Sequence, residues 1–257
     1  MTRRTLAVNQ AALNQPLRRS LAGIRKMQAD GLELAAIGEM APAKLTATGR
    51  RELRHLALSH ELSFAALSCP LRDGLEVADD QEGRIERLSQ AMKLAVDLGC
   101  TIVVVQPGPL VTDVKDPRFA VLADSLATLG RHGDRIGVRL ALTTGFDSAE
   151  TVMTLLTRFD TGGLAVAVDP GGLMAHGHDP YASLRTVRSR LAYVRASDAK
   201  KAGAGRLARR VPVGRGDLDW LQLAANMEEV DYRGWITVDG ESATEASAGV
   251  AFLKRVV

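Results

Sequence analysis

Short runs of β-branched and apolar residues alternate along the whole chain with polar loops and with stretches whose apolar positions recur every three or four residues. The runs occupy residues 5–8, 32–37, 62–67, 101–105, 138–142, 164–168, 191–194 and 235–238. Val103-Val104-Val105 and Leu164-Ala165-Val166-Ala167-Val168 are continuous rather than alternating, the pattern of parallel strands covered on both faces. Between the runs, Ile85, Leu88, Met92 and Ala95 form one apolar helical stripe, closed by Gly99. Leu122, Leu126 and Leu129 form another ahead of His132-Gly133. Val152, Leu155 and Leu156 follow an acidic start at Asp147 and Glu150, as suits a helix N-terminus. Leu218, Leu221, Leu223 and Met227 follow Asp217, which reads as an N-cap.

Eight strand–helix units can form an open doubly wound sheet or a closed barrel. The open sheet usually carries a glycine-rich phosphate turn after its first strand. Here Val8-Asn9-Gln10-Ala11-Ala12 follows, with no glycine. The count of eight, and the polar residues that collect where the runs end, favour a single (β/α)₈ barrel over residues 1–257. That length is ordinary for one such barrel.

Composition narrows the function classes. Hydrophobic residues make up 46 % and charged residues 25 %, an ordinary globular balance. Net charge is +3, and the basic residues are scattered apart from Arg3-Arg4, Arg50-Arg51 and Arg209-Arg210. A nucleic-acid surface concentrates positive charge and interleaves it with aromatics. Aromatics are only 4 % here, so no nucleic-acid partner is expected. No apolar run approaches the roughly 18 residues of a membrane span. Residues 1–7 are basic without the apolar core of a signal peptide. No membrane association and a cytoplasmic location are expected, with Cys69 and Cys100 as buried, reduced thiols.

In a (β/α)₈ barrel the chemistry projects from the C-terminal ends of the strands into one mouth. The positions just after the runs are Asn9 and Gln10, Glu39, Ser68 and Cys69, Gln106, Thr143 and Thr144, Asp169, Arg195 with Asp198, and Asp239 with Glu241. They supply carboxylates, amides, hydroxyls and one guanidinium, but no histidine.

At these positions the chain resembles a known family. Val211-Pro212-Val213-Gly214-Arg215-Gly216-Asp217-Leu218-Asp219-Trp220 is similar to the glycine-rich loop of xylose isomerase-like sugar isomerases and epimerases. Gly234-Trp235-Ile236-Thr237-Val238-Asp239 resembles that family's final strand, which normally ends in glutamate. Asp169-Pro170-Gly171-Gly172 stands where the family has Asp-x-x-His, and Arg195-Ala196-Ser197-Asp198 where it has His-x-x-Asp. Gly31-Leu32-Glu33-Leu34 resembles its second strand, and Ala95-Val96-Asp97-Leu98-Gly99-Cys100 the turn into its fourth.

The resemblance implies a divalent ion in the mouth, held by residues from strands five to eight, that polarises sugar oxygens while carboxylates move a proton. The corresponding residues here are Thr143, Asp169, Arg195 and Asp239, and the substrate-contacting histidine becomes Gly172. Only Asp169 keeps its residue type, and a guanidinium repels a cation. No family metal (Mn, Mg, Zn or Co) and no other cofactor is therefore expected. His176 and His178 form a His-Gly-His step that either recruits a metal another way or is a pair of solvated loop residues.

Arg195 is instead expected to occupy the ion's place and to pair with Asp169, Asp239 or both. Asp169, Asp239 and Arg195 are the candidate catalytic residues. Gln106, Thr143, Asp198 and Arg215 are the candidate substrate contacts. Structural alternatives stand beside these: Gln106 satisfying loop backbone, Asp198 orienting its loop, Arg215 in solvent, and Trp220 packing a helix. Glu33, inside an apolar run, needs a hydrogen-bond partner whether structural or catalytic. Three functions fit: an isomerase- or epimerase-like enzyme without the metal, a non-catalytic sugar or small-acid binder, and an inactive partner of an active homologue. A small polyol or sugar is the expected ligand, and a homo-oligomer is left open.

Overall fold

The computed structural model describes residues 4–201 and 208–257. Eight parallel strands close into a barrel. They are β1 (Leu6–Asn9), β2 (Gly31–Ala35), β3 (Ser63–Ser68), β4 (Ile102–Val105), β5 (Arg139–Thr143), β6 (Leu164–Val168), β7 (Leu191–Ala196) and β10 (Ile236–Val238). The last of these pairs with both β7 and β1 and completes the closure. Each apolar run read from the sequence becomes a barrel strand, with ends moved by no more than two residues. The pattern did not announce an antiparallel hairpin of β8 (Asp198–Lys200) and β9 (Arg209–Val211), set between β7 and the next helix.

The helices are α1 (Leu17–Lys26), α2 (Ala47–Ser59), α3 (Gln81–Leu98), α4 (Pro117–Ile136), α5 (Ala149–Leu156), α6 (Pro170–Ala175), α7 (Pro180–Thr186), α8 (Trp220–Glu229) and α9 (Ala243–Val256). Helix α3 ends at Gly99, whose φ of 79° lies in the left-handed region that glycine enters without strain. Two helix ends differ from expectation, the end of α4 and the cap of α8. Helix α4 runs through His132-Gly133 to Ile136, because Gly133 is a packing glycine rather than a stop: a Cβ there would lie 2.4 Å from the Val138 carbonyl oxygen. Helix α5 has the expected acidic start in Glu150 of its first turn, with Ser148 as its cap, accepting from the Thr151 N–H. Asp219, not Asp217, caps α8 by accepting from the N–H groups of Leu221 and Gln222. Asp217 instead holds the Lys201 N–H at 2.8 Å, and Leu221 faces outward.

The main core lies between the outer barrel face and the helices. Leucine and valine side chains dominate it, each contributing about 1.5–3 kcal/mol by burial. The lumen is different. It is filled by small residues, among them Ala7, Ala65, Ala141, Ala165 and Ala167, around the fully buried ring of Tyr193. No helix among the described residues is long and apolar enough to cross a membrane. Cys69 and Cys100 are both buried free thiols, as the sequence led us to expect.

Candidate functional site

Side chains alternate along a strand, so the residue two beyond each lumen residue also faces the axis, one layer nearer the C-terminal mouth. Ala7, Val104, Ala141, Ala167 and Tyr193 pack in or beside the lumen, and Thr237 is bonded to Tyr193. The layer above them is therefore Asn9, Gln106, Thr143, Asp169, Arg195 and Asp239. Four of these six are the residues at the family's metal positions. The register supports the inward facing: Thr143 pairs with Ala167 across β5 and β6, and Arg195 with Thr237 across β7 and β10, and paired residues share a face of the sheet.

Arg195 does pair with a carboxylate, but neither of the two expected. Its Nη2 donates to Glu33 Oε1 at 2.5 Å. Glu33 lies on β2, wholly out of solvent, and its other oxygen accepts from the Tyr193 hydroxyl at 2.8 Å. Tyr193 is also bonded to the Thr237 hydroxyl at 2.5 Å. Glu33 reaches Arg195 because inward-facing alanines leave the lumen open enough for a long acid to cross it. Burial opposes the charge on Arg195, but the fields of Glu33, Asp239 and Asp169 outweigh it and hold the guanidinium firmly protonated. Burial first, then the charge of Glu33, raises the Tyr193 phenol far above its ordinary value, so it remains a neutral donor. Arg195 Nε and the Thr143 hydroxyl are both buried and have no hydrogen-bond partner among the described residues.

Asp169 is held from three sides. It caps α6, accepting from the Gly172 N–H at 2.9 Å, with Pro170 fixing the first helical turn. The Ser197 hydroxyl donates to the same oxygen, and Arg210 of β9 forms an ion pair with the other. Asp239 is freer: half-buried, it accepts from the Asn9 side-chain amide at 3.0 Å through Oδ1.

A cavity of about 310 Å³ opens at the ends of β4, β5 and β6. Gln106, Pro109, Thr144, Phe146, Asp169, Gly172, His176 and Arg210 contribute to its lining, which is largely apolar. Sequence reasoning placed Gln106 and Asp169 there. It missed Arg210, noted only as half of a basic pair, and Phe146, which carries no motif. The folded hairpin and loop bring both to the mouth.

Of the other expected contacts, Thr143 lies in the mouth layer, whereas Asp198 and Arg215 lie outside this cavity. Asp198, read both as a ligand contact and as the organiser of its loop, is completely buried. Its carboxylate accepts from the N–H groups of Ala199, Gly214 and Leu218 and from the Trp220 indole, so it orients the glycine-rich loop. Arg215 is exposed on that loop, and Trp220 packs in the core. His176 and His178 secure loops: one meets the Gly172 carbonyl through Nδ1 at 2.9 Å, the other the Phe146 carbonyl through Nε2 at 3.1 Å.

The donors at the four family positions do not fit a divalent ion. A catalytic ion needs several oxygen or nitrogen lone pairs within about 2.0–2.6 Å. Here one position holds a guanidinium, one a hydroxyl, and one a carboxylate already engaged through both oxygens. Among the described residues no group of three or more His, Cys, Asp or Glu is arranged to hold a metal.

The sequence matches the family described as "Xylose isomerase-like TIM barrel" over residues 21–256. Among solved structures it is similar to a xylose isomerase domain protein from Planctomyces limnophilus, with a TM-score of 0.85, 16 % identity, and coverage of 99 % of this chain and 96 % of that one. A D-tagatose 3-epimerase-like protein gives 0.83 and 17 %, covering 98 % and 96 %. D-psicose 3-epimerase from Clostridium cellulolyticum H10, solved with D-tagatose, gives 0.79 and 14 %, covering 98 % and 99 %. At these identities the likeness is one of fold. No curated protein matches the sequence.

Proposed function

The chain belongs to the xylose isomerase-like TIM barrel family, and from that premise we propose that it handles a small sugar-like carbonyl compound in the barrel mouth without the divalent ion. One observation carries this reading: a half-buried arginine, charge-balanced by Glu33, stands at a strand end where the family places a metal ligand. The part of the guanidinium that stays exposed supplies donors for a ligand oxygen. A fixed positive charge at that point stabilises the oxyanion that forms when a carbon next to a carbonyl loses its proton. Asp239 keeps one oxygen without a hydrogen bond among the described residues, which suits it to accept that proton and return it to the neighbouring carbon. Asp169, saturated by Gly172, Ser197 and Arg210, becomes a positioning residue for the mouth. This differs from the sequence expectation that Asp169 and Asp239 share the catalytic work.

The test uses protein purified in chelator and incubated in deuterated water with D-fructose or D-tagatose, the sugars named for two structural neighbours. The expected result is metal-independent deuterium uptake beside the carbonyl, abolished by Asp239→Asn and retained in part by Asp169→Asn. Uptake that appears only with manganese or magnesium overturns the proposal. A second reading, a non-catalytic binder, is favoured by the complete engagement of Asp169. Saturable binding with no deuterium uptake would establish it in place of the first.

A further inference from the structure

Among the described residues Phe146 is the only aromatic side chain with more than half its surface exposed, at 53 %. The other large aromatics are buried or half-buried, so its place at the lip of the 310 Å³ cavity is distinctive. The loop that carries it is anchored at several points. The His176 ring meets the Phe146 ring edge-on, with centroids 5.5 Å apart and planes at 62°. The Phe146 carbonyl is bonded to His178 Nε2 at 3.1 Å. The neighbouring Asp147 carboxylate accepts from the Leu110 N–H at 3.1 Å, tying this loop to the one after β4. A fixed aromatic ring thus faces solvent beside a cavity whose polar groups are Gln106, Asp169 and the half-exposed Arg210. The Gln106 amide has no protein partner among the described residues.

Apolar wall and polar pole together match one kind of molecule. A cyclic polyol or sugar ring has a C–H face that packs on an aromatic ring, and hydroxyls at its edge for an amide, a carboxylate and a guanidinium. An open-chain polyol presents no such flat face. We propose that Phe146 is a specificity-determining platform that selects ring-form polyhydroxylated ligands, with Gln106 and Arg210 reading the ring's hydroxyls. This rests on the sugar-like ligand of the preceding section and adds the form in which it docks; a hemiketal ring must then open to its ketone before the proton transfer described there.

The experiment titrates the protein with two ring probes, methyl β-D-glucopyranoside and myo-inositol, and one open-chain probe, sorbitol. It follows saturation-transfer NMR of the probe and the Phe146 ring signals in phenylalanine-labelled protein. The expected result is that Phe146→Ala weakens the ring probes about five- to tenfold, leaves sorbitol unchanged, and is rescued by Phe146→Trp. The ring signals should shift only with the ring probes. The variant should fold normally, because the side chain it removes is mostly outside the core. Equal weakening of all three probes, or ring-probe binding indifferent to Phe146→Ala, overturns the platform and leaves the preceding proposal standing. Deuterium uptake without ring-probe binding also overturns it. The absence of both removes the two proposals together.

Discussion

Arg195 and Glu33 form an ion pair inside the barrel, Nη2 to Oε1 at 2.5 Å, with Glu33 wholly enclosed and Arg195 retaining a flank toward the mouth. A buried charge without its partner is costly, whereas a buried pair replaced as a unit by apolar groups is often tolerated. The pair is also part of a chain, since Tyr193 bonds the second Glu33 oxygen and Thr237.

Removing either member alone should therefore be severe. Glu33→Leu or Arg195→Met is expected to cost about 3–5 kcal/mol in urea denaturation. The double variant should recover much of that loss, and a double variant no better than the worse single one would show that the pair is not coupled. Tyr193→Phe should cost less, about 1–3 kcal/mol, because it leaves acceptors short of one donor rather than a charge bare.

Asp198 organises the glycine-rich loop from below. Asp198→Ala strips acceptors from the Gly214 and Leu218 N–H groups and from the Trp220 indole. A loss of about 3 kcal/mol is expected, with a red shift of tryptophan emission as Trp220 meets water. Unchanged emission and stability would mean that the loop holds itself.

The two thiols should be silent in the native protein. Burial pushes Cys69 up to about 11 and Cys100 up to about 12, against small opposing effects of Arg87 and of backbone hydrogen bonds. A disulfide reagent at about pH 8 should label neither until denaturant is added, and then both. Rapid native labelling of either would contradict the enclosure of that cysteine.

His132 should make stability fall on mild acidification. Burial, aided by Lys93 and Arg135, depresses its folded-state value. Below the unfolded value of about 6.5 the unfolded chain gains a proton that the folded chain resists until more acid pH. The contribution is present above that value and is lost between it and the lower folded one. Urea midpoints at about pH 7.5 and about pH 5.5 should differ in this sense, and the difference should shrink in His132→Gln.

The strands were legible because parallel strands covered on both faces need continuous apolar runs, which few other elements produce. The polar ends of those runs marked Gln106, Asp169, Arg195 and Asp239 as mouth residues, since a barrel turns every strand end toward one opening. Glycine was harder to read. Gly99 stops a helix through its backbone angle, while Gly133 sits within one through close packing, and the two look alike in sequence.

The chain order by itself determined the eight strand–helix units, and with them the layer of side chains at the top of the cylinder. It could not determine which charges meet. Glu33 and Arg195 are 162 positions apart, and Asp169 and Arg210 are joined by a hairpin with no signature of its own. Local periodicity reports which face a side chain takes. Which opposite charge lies within reach depends on the radius of the closed barrel, on the small lumen side chains that leave an acid room to cross it, and on where loops settle, and those are properties of the whole packed molecule.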